Sequence, residues 1–488
     1  MKRPGLRAAG LLKNAAVVSL GAVAAKAVGV LYRIPLAGVL GGYGAGLYQM
    51  AYPLFCLALT FSSVGVPTLV ARAVAAERSA GRGGGDAFRA ALRLFFTLGL
   101  AGSVAMVLFA LPVARLQGER ALAGCYLALA PAVLLVALVA VLRGYWQGRG
   151  VMTPTAASEL VEQFVKAGAG LLLASRFDDP VLAARGALFA VTLSEGAALL
   201  FLWLRPRARE RFLRVRNRGD GMLFCALPVM ASAALLPLSQ MADSVLVVRL
   251  LARHTARAVD YYGLFAGSAL SLVNLPATVC AGLAAAAVPS VAACFARGEE
   301  ERGRERALFA VCACLALALP CAACLFLGAP LAVRLLYPAL GAEDGAVLVA
   351  LVRISSVSAA ALAAVEVLAA CLAAMGRARR AALAMLAAVL VRTAVQGALV
   401  GSPAFGILGA AIAADACYLV AFFLDLFYTI KTKSTKKRGQ HDHTHRSRGA
   451  EGRRYAAGAR RACGGGPRLR ANGGASVGGE PDGGGHPV

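Results

Sequence analysis

Apolar residues run through this chain in long blocks separated by short polar segments, and within the blocks they do not alternate with polar ones. A helix needs about 20 mostly apolar residues to cross the hydrocarbon core of a bilayer. Twelve stretches meet that requirement: 11–32, 46–71, 88–112, 121–142, 155–175, 181–204, 221–250, 261–292, 306–330, 346–375, 379–400 and 405–430. Runs such as Ala359 to Val365 and Ala381 to Val391 lack the period of two that a membrane strand would show. The pattern predicts an all-α polytopic membrane protein of about twelve transmembrane helices. Prolines at positions 53, 67, 228, 237, 276 and 289 predict kinks.

The polar segments orient the helices. With the N-terminus inside, the inner segments ahead of the tail carry about 25 Lys+Arg and the outer ones about nine, so both termini are expected in the cytoplasm. The segment RPRARERFLRVRNRGD at 205–220 is the strongest internal boundary and divides the spans six and six. Six is even, so a duplicated half would keep its orientation. The expected organisation is a cytoplasmic N-terminus (1–10), a first six-helix bundle (11–204), a basic cytoplasmic linker (205–220), a second six-helix bundle (221–430) and a Gly/Arg-rich tail (431–488). Few large apolar residues occur in the tail, so it is expected to be disordered, and its His441, His443 and His445 read as solvated residues rather than metal ligands.

Composition narrows the function classes. Of 488 residues 59% are hydrophobic and 16% charged, against about a quarter charged in soluble domains. The net charge of +26 sits largely in the inter-helix segments and the tail, which suits an anionic membrane face and argues against nucleic acid. Most of the twelve cysteines lie in apolar blocks, so no disulfide framework is expected; Cys321 and Cys324 form a CxxC with no matching second pair and read as small packing residues. There is no GxxxxGK[ST] phosphate loop and no extramembrane segment long enough for a catalytic domain, so the chain is not expected to be an enzyme or to need a cofactor or metal.

Charges inside spans carry the functional information, because each costs a few kcal/mol unless it faces a bundle interior or water. Lys26 and Arg33 are seven residues apart and share a helix face. Glu159, Glu162 and Lys166 form one stripe, with Glu162 and Lys166 in the favourable i, i+4 order, widened by Ser158 and Gln163. The second half adds Gln240 and Asp243, Asn274, Arg353, Glu366, Arg392 and Asp415. Lys26, Arg33, Arg392, Gln240 and Asn274 are the candidate substrate-binding residues. Glu159, Glu162, Lys166, Asp243, Glu366 and Asp415 are the candidates for a polar cavity or for Na+ or H+ coupling.

The stretch Leu11 to Glu77, with Lys26, Gly29, Arg33, Pro35, Gly44, Gly46, Tyr48, Tyr52, Pro53, Gly65 and Pro67, resembles the opening helices of the stage V sporulation protein B and polysaccharide flippase group. That group is part of the multidrug/oligosaccharidyl-lipid/polysaccharide exporter (MOP) superfamily and is related to lipid II flippases. LRGYWQGRG at 142–150, the segment around Asp243, and YYGLFAGSAL followed by Leu275 and Pro276 extend the resemblance. It implies two six-helix bundles in the bacterial cytoplasmic membrane, flipping an undecaprenyl-diphosphate-linked oligosaccharide by alternating access. The cargo it implies is a lipid II-like peptidoglycan precursor or another wall polysaccharide unit, with membrane lipids and cell-wall synthesis enzymes as partners. Lys26 stands where lipid II flippases carry an arginine, whereas 54–67 is uncharged where they carry another, which leaves the cargo open. A cation-coupled multidrug exporter of the same fold and a non-transporting scaffold for wall synthesis are the alternatives.

Overall fold

In the computed structural model the backbone is described for residues 4–63, 65–81, 83–205 and 220–431. Side chains are described within those ranges from residue 24 onward, apart from residues 26, 30, 62, 220–233, 235, 236, 285 and 286. The expected linker, save its end residues 205 and 220, and the expected tail beyond 431 lie outside the described residues.

Thirteen α-helices are described: α1 Pro4–Ser63, α2 Val66–Ser79, α3 Gly85–Gln117, α4 Leu122–Gly148, α5 Thr153–Ala174, α6 Pro180–Trp203, α7 Asp220–Leu251, α8 Ala258–Gly263, α9 Leu270–Ala296, α10 Glu300–Leu336, α11 Ala342–Ala374, α12 Ala378–Leu399 and α13 Ile407–Ile430. Nine helical segments among the described residues are long and apolar enough to cross a membrane; α5, with its Glu159, Glu162 and Lys166, is not among them. The count of twelve spans reconciles with thirteen helices through three local features. Helix α1 contains the first span and most of the second, turned at Gly41, whose φ of 65° and ψ of −174° are non-helical and suit a residue without a Cβ. A second break at Gly65, φ 79°, separates α2, with Pro67 in its first turn. Helices α8 and α9 are one rod joined through a π-helical turn, Leu264–Ala269.

The molecule is apolar outside as well as inside. Leu108, Phe309 and Leu327 are among many exposed large hydrophobics, as lipid-facing surfaces require. The interior is rich in alanine, for example Ala132, Ala137, Ala183, Ala184 and Ala187, which lets helices approach closely where burial from water supplies no drive. The packing order of the first half recurs in the second. Helix α3 lies on α4 as α10 lies on α11, α5 on α6 as α12 on α13, and α4 on α6 as α11 on α13.

The halves meet at the end of the bundle that carries Gly41. There the part of α1 just after Gly41 crosses α8 and the π-turn, backbone against backbone. A Cβ on Gly46 would strike the Val259 carbonyl, and one on Gly263 would strike the Gly42 carbonyl. Both segments are GxxxG repeats, Gly42 to Gly46 and Gly263 to Gly267, the spacing that admits such an approach. Beside this seam the buried Gln117 amide donates to the Met50 carbonyl at 3.1 Å and to Ser244 Oγ at 3.2 Å. Its carbonyl oxygen accepts from the Tyr126 hydroxyl. One side chain thus ties α1, α3 and α4 of the first half to α7 of the second.

Replacing Gly46 by leucine should force this seam apart at a cost of about 1–3 kcal/mol, read as a lower Tm of the detergent-solubilised protein. A Tm equal to that of the original chain would show that the seam can relax.

Candidate functional site

A cavity of about 540 Å³ lies between the halves, lined from α1, α4 and α5 on one side and from α9 and α11 on the other. It sits away from the Gly41 end. Arg143 is five residues from the end of α4, and Glu159 six residues from the start of α5. Arg33, Arg143 and Lys166 supply cations; Glu159, Glu162 and Glu366 supply carboxylates; Gln163, Asn274 and Thr278 add neutral hydrogen-bonding groups. Tyr48 and Tyr52, one helical turn apart, stack with ring centroids 5.8 Å apart and planes 14° from parallel, and both line the space.

The cations are not equivalent. Arg143 on α4 reaches across to α5, where its Nη2 lies 3.0 Å from Glu162 Oε2 and its Nε donates to Ser158 Oγ at 2.9 Å. Lys166 Nζ stands 3.4 Å from the other carboxylate oxygen of Glu162, the i, i+4 pair expected from the sequence, and Gln163 Nε2 donates to that same oxygen at 3.1 Å. Arg33 has no acidic partner among the described residues. It is half-buried in the wall that Tyr32, Tyr48 and Tyr52 continue. A guanidinium so placed, on a cavity wall, is open to water or to an anion from outside the chain.

Six of the sequence-derived residues are therefore brought together: Arg33, Glu159, Glu162, Lys166, Asn274 and Glu366. The backbone of Lys26 lies in α1, between the cavity-lining Ala25 and Gly29, but its side chain lies outside the described residues. The other four stand apart from the cavity. Gln240 is exposed on α7. Asp243 on α7 and Arg392 on α12 close on each other as a buried ion pair, which removes Arg392 from the anion-binding set expected for it. Asp415 on α13 accepts hydrogen bonds from the backbone N–H and hydroxyl of Ser358 on α11. Arg353 also departs from the interior position expected of it and is exposed.

Charge alone predicts that the fourth span ends at Leu142 and that Arg143 lies in a cytoplasmic loop. Helix α4 continues to Gly148, because Tyr145 and Trp146 bury against α2 and α3, the Tyr145 ring packing on Phe88 with centroids 4.8 Å apart and planes tilted by 51°. That aromatic pair after the arginine is the signal that the helix goes on. Two buried carboxylates were also passed over, Glu195 on α6 and Asp425 on α13.

Residues 11–295 match the model of the polysaccharide biosynthesis protein family. The chain belongs to that family. Among curated relatives, stage V sporulation protein B of Bacillus subtilis is 30% identical over 303 residues, 57% of this chain and 58% of that protein. Lipid II flippase MurJ of the same organism is 27% identical over 230 residues, 43% of this chain and 42% of that one. The alignments thus span about half the length of these relatives. The fold is that of MOP transporters: a multidrug resistance MATE family transporter in an inward-facing conformation superposes with a TM-score of 0.71 at 17% identity, over 82% of this chain and 93% of that one.

Within this polysaccharide biosynthesis family member the Asp243–Arg392 pair invites a direct test. Asp243→Ala strands a buried guanidinium and should cost about 3–5 kcal/mol in thermal unfolding. Replacing both residues by leucine should recover most of that loss. Equal loss in the single and double variants would contradict the pairing.

Proposed function

We propose that the protein is a membrane flippase that moves a diphosphate-linked oligosaccharide lipid from the inner to the outer leaflet by alternating access. The observation that carries this reading is Arg33, a cavity-lining guanidinium with no acidic partner among the described residues, in a space shared by both halves. A diphosphate headgroup offers the oxygens that a guanidinium fork binds with charge assistance, and the enclosing helices keep water from screening that attraction.

The remaining lining fits the sugar. Hydroxyls of an oligosaccharide donate to carboxylates such as Glu159 and Glu366 and exchange hydrogen bonds with Gln163, Asn274 and Thr278. The stacked Tyr48 and Tyr52 faces offer an apolar platform to a sugar ring. A cavity with both signs of charge and neutral amides suits a large zwitterionic or polyhydroxylated headgroup better than an aromatic cation, because Glu162 is already taken up by Arg143 and Lys166 and Arg33 would repel a cation. That weighs against drug export. The activity so defined is transport with no bond made or broken.

In this reading the two bundles, 11–204 and 221–430, rock about the cavity, with the basic linker and both termini in the cytoplasm. The loop charges favour the Gly41 seam at the outer face and the cavity toward the inner one, and in that orientation the conformation described would receive substrate from the cytoplasmic leaflet. Wall-synthesis enzymes would supply the lipid-linked unit on that side. A lipid II-like or other wall unit is the cargo that the relatives' names favour.

The test is Arg33→Ala and Arg33→Lys in proteoliposomes carrying a fluorescent undecaprenyl-diphosphate sugar. Loss of a charge-assisted hydrogen bond worth about 1.5–3 kcal/mol corresponds to a fall in translocation of about 10- to 100-fold for the alanine variant, with partial rescue by lysine. Unchanged translocation in Arg33→Ala at normal protein levels would overturn the reading.

A further inference from the structure

We propose that Glu162 is a built-in occupant of the anion site, a carboxylate that holds the cavity's paired cations until the substrate headgroup displaces it. This rests on the diphosphate reading above and names the residue that sets affinity and release.

Glu162 uses both carboxylate oxygens, one toward Arg143 at 3.0 Å and one toward Lys166 at 3.4 Å and Gln163 at 3.1 Å. Every one of these partners lines the cavity. A carboxylate bridging two cations in this way presents the same pair of acceptor oxygens as a phosphate group. The two contacts are unequal: the Arg143 contact at 3.0 Å has ordinary hydrogen-bond length, whereas Lys166 at 3.4 Å stands farther off than a close charge-assisted bond of about 2.7–2.9 Å. The side chains of Arg143, Glu162 and Lys166 keep 16%, 12% and 12% of their surface exposed. Asp243 and Arg392 keep a similar 12% and 17%, so what sets Glu162 apart is that its partners line the cavity. A tie whose sole purpose was to hold α4 to α5 could sit inside that interface, where Ser158 is fully buried, rather than on the cavity wall.

Displacement gives the site two useful properties. An empty cavity keeps its cations compensated, so the resting protein avoids the cost of unpaired charge in a low-dielectric surround. A monoanion cannot match both contacts and also reach Arg33, whereas a diphosphate has oxygens for all three, so Glu162 raises the threshold that a headgroup must pass. After translocation the same carboxylate returns to Arg143 and Lys166 and competes the headgroup off, which favours release over retention.

The test uses the full chain in detergent, with geranylgeranyl diphosphate as the probe and geranylgeraniol as the same tail without the anion. Glu162→Gln should bind the diphosphate about tenfold more tightly than the original chain, with alcohol binding unchanged, and should translocate more slowly because release is retarded. Glu162→Asp, which keeps the charge but shortens its reach, should shift affinity in the same direction by less. In a structure with the diphosphate bound, the Arg143 to Glu162 separation should exceed about 4 Å, a readout that stands even if Glu162→Gln does not fold. Should the original chain prefer the diphosphate while Glu162→Gln binds it equally or less well, or should the 3.0 Å contact persist with diphosphate bound, Glu162 is a structural tie and the inference fails alone. No preference of the original chain for diphosphate over alcohol would remove the inference together with the proposed function.

Discussion

Charge inside a hydrocarbon slab must be paired, wetted or absent, and the arrangement of this protein follows from how each ionisable side chain meets that demand. Asp243 and Arg392 meet it by closing on each other between α7 and α12, and Asp415 by taking hydrogen bonds from Ser358. Both arrangements tie helices within the second half, away from the cavity. The cluster on α1, α4 and α5 answers the demand differently. Arg143, Glu162 and Lys166 share one carboxylate between two cations, and Arg33 depends on the cavity itself. Under the proposed function this partial compensation lets the site accept an external anion and later give it up.

The seam at Gly41 is the mechanical counterpart of this electrostatic design. Close backbone approach between Gly42 to Gly46 and Val259 to Gly267 brings the halves together beside a shared apolar cluster that includes Leu47, Met50, Tyr262 and Phe265. Gln117 adds one specific polar tie across the halves through Ser244. The π-turn at Leu264–Ala269 belongs to the same contact and offsets the α8–α9 rod where it meets α1, as such turns commonly do near functional regions. Closure at this end and polarity further along the same helices are what the proposed alternating-access mechanism requires.

Much of the fold was legible because the bilayer imposes a simple rule on sequence, and a run such as Leu122 to Leu142 can hardly be anything but a span. Its end was less legible. Arg143 looks like the first loop residue when charge alone is read, and only the burial of Tyr145 and Trp146 shows why the helix carries it inward. The stripe of Glu159, Glu162 and Lys166 was visible through its helical spacing, since i, i+3 and i+7 are fixed by backbone geometry. Pairings across helices were not visible. Nothing local distinguishes Arg392, whose charge Asp243 consumes, from Arg33, and that choice depends on which helices become neighbours. Gly41 falls in the 33–45 gap between the first two expected spans, but that this one glycine turns a helix that otherwise continues on both sides was not legible, because nothing in the gap marks which residue takes the turn.

The most direct test of the central claim is a structure of the protein with an undecaprenyl-diphosphate sugar bound, determined in a lipid nanodisc. The account expects the diphosphate in the cavity between α1, α5 and α11, with phosphate oxygens within hydrogen-bonding reach of the Arg33 guanidinium. A headgroup held elsewhere, with Arg33 turned away into lipid or locked against a protein carboxylate, would contradict it.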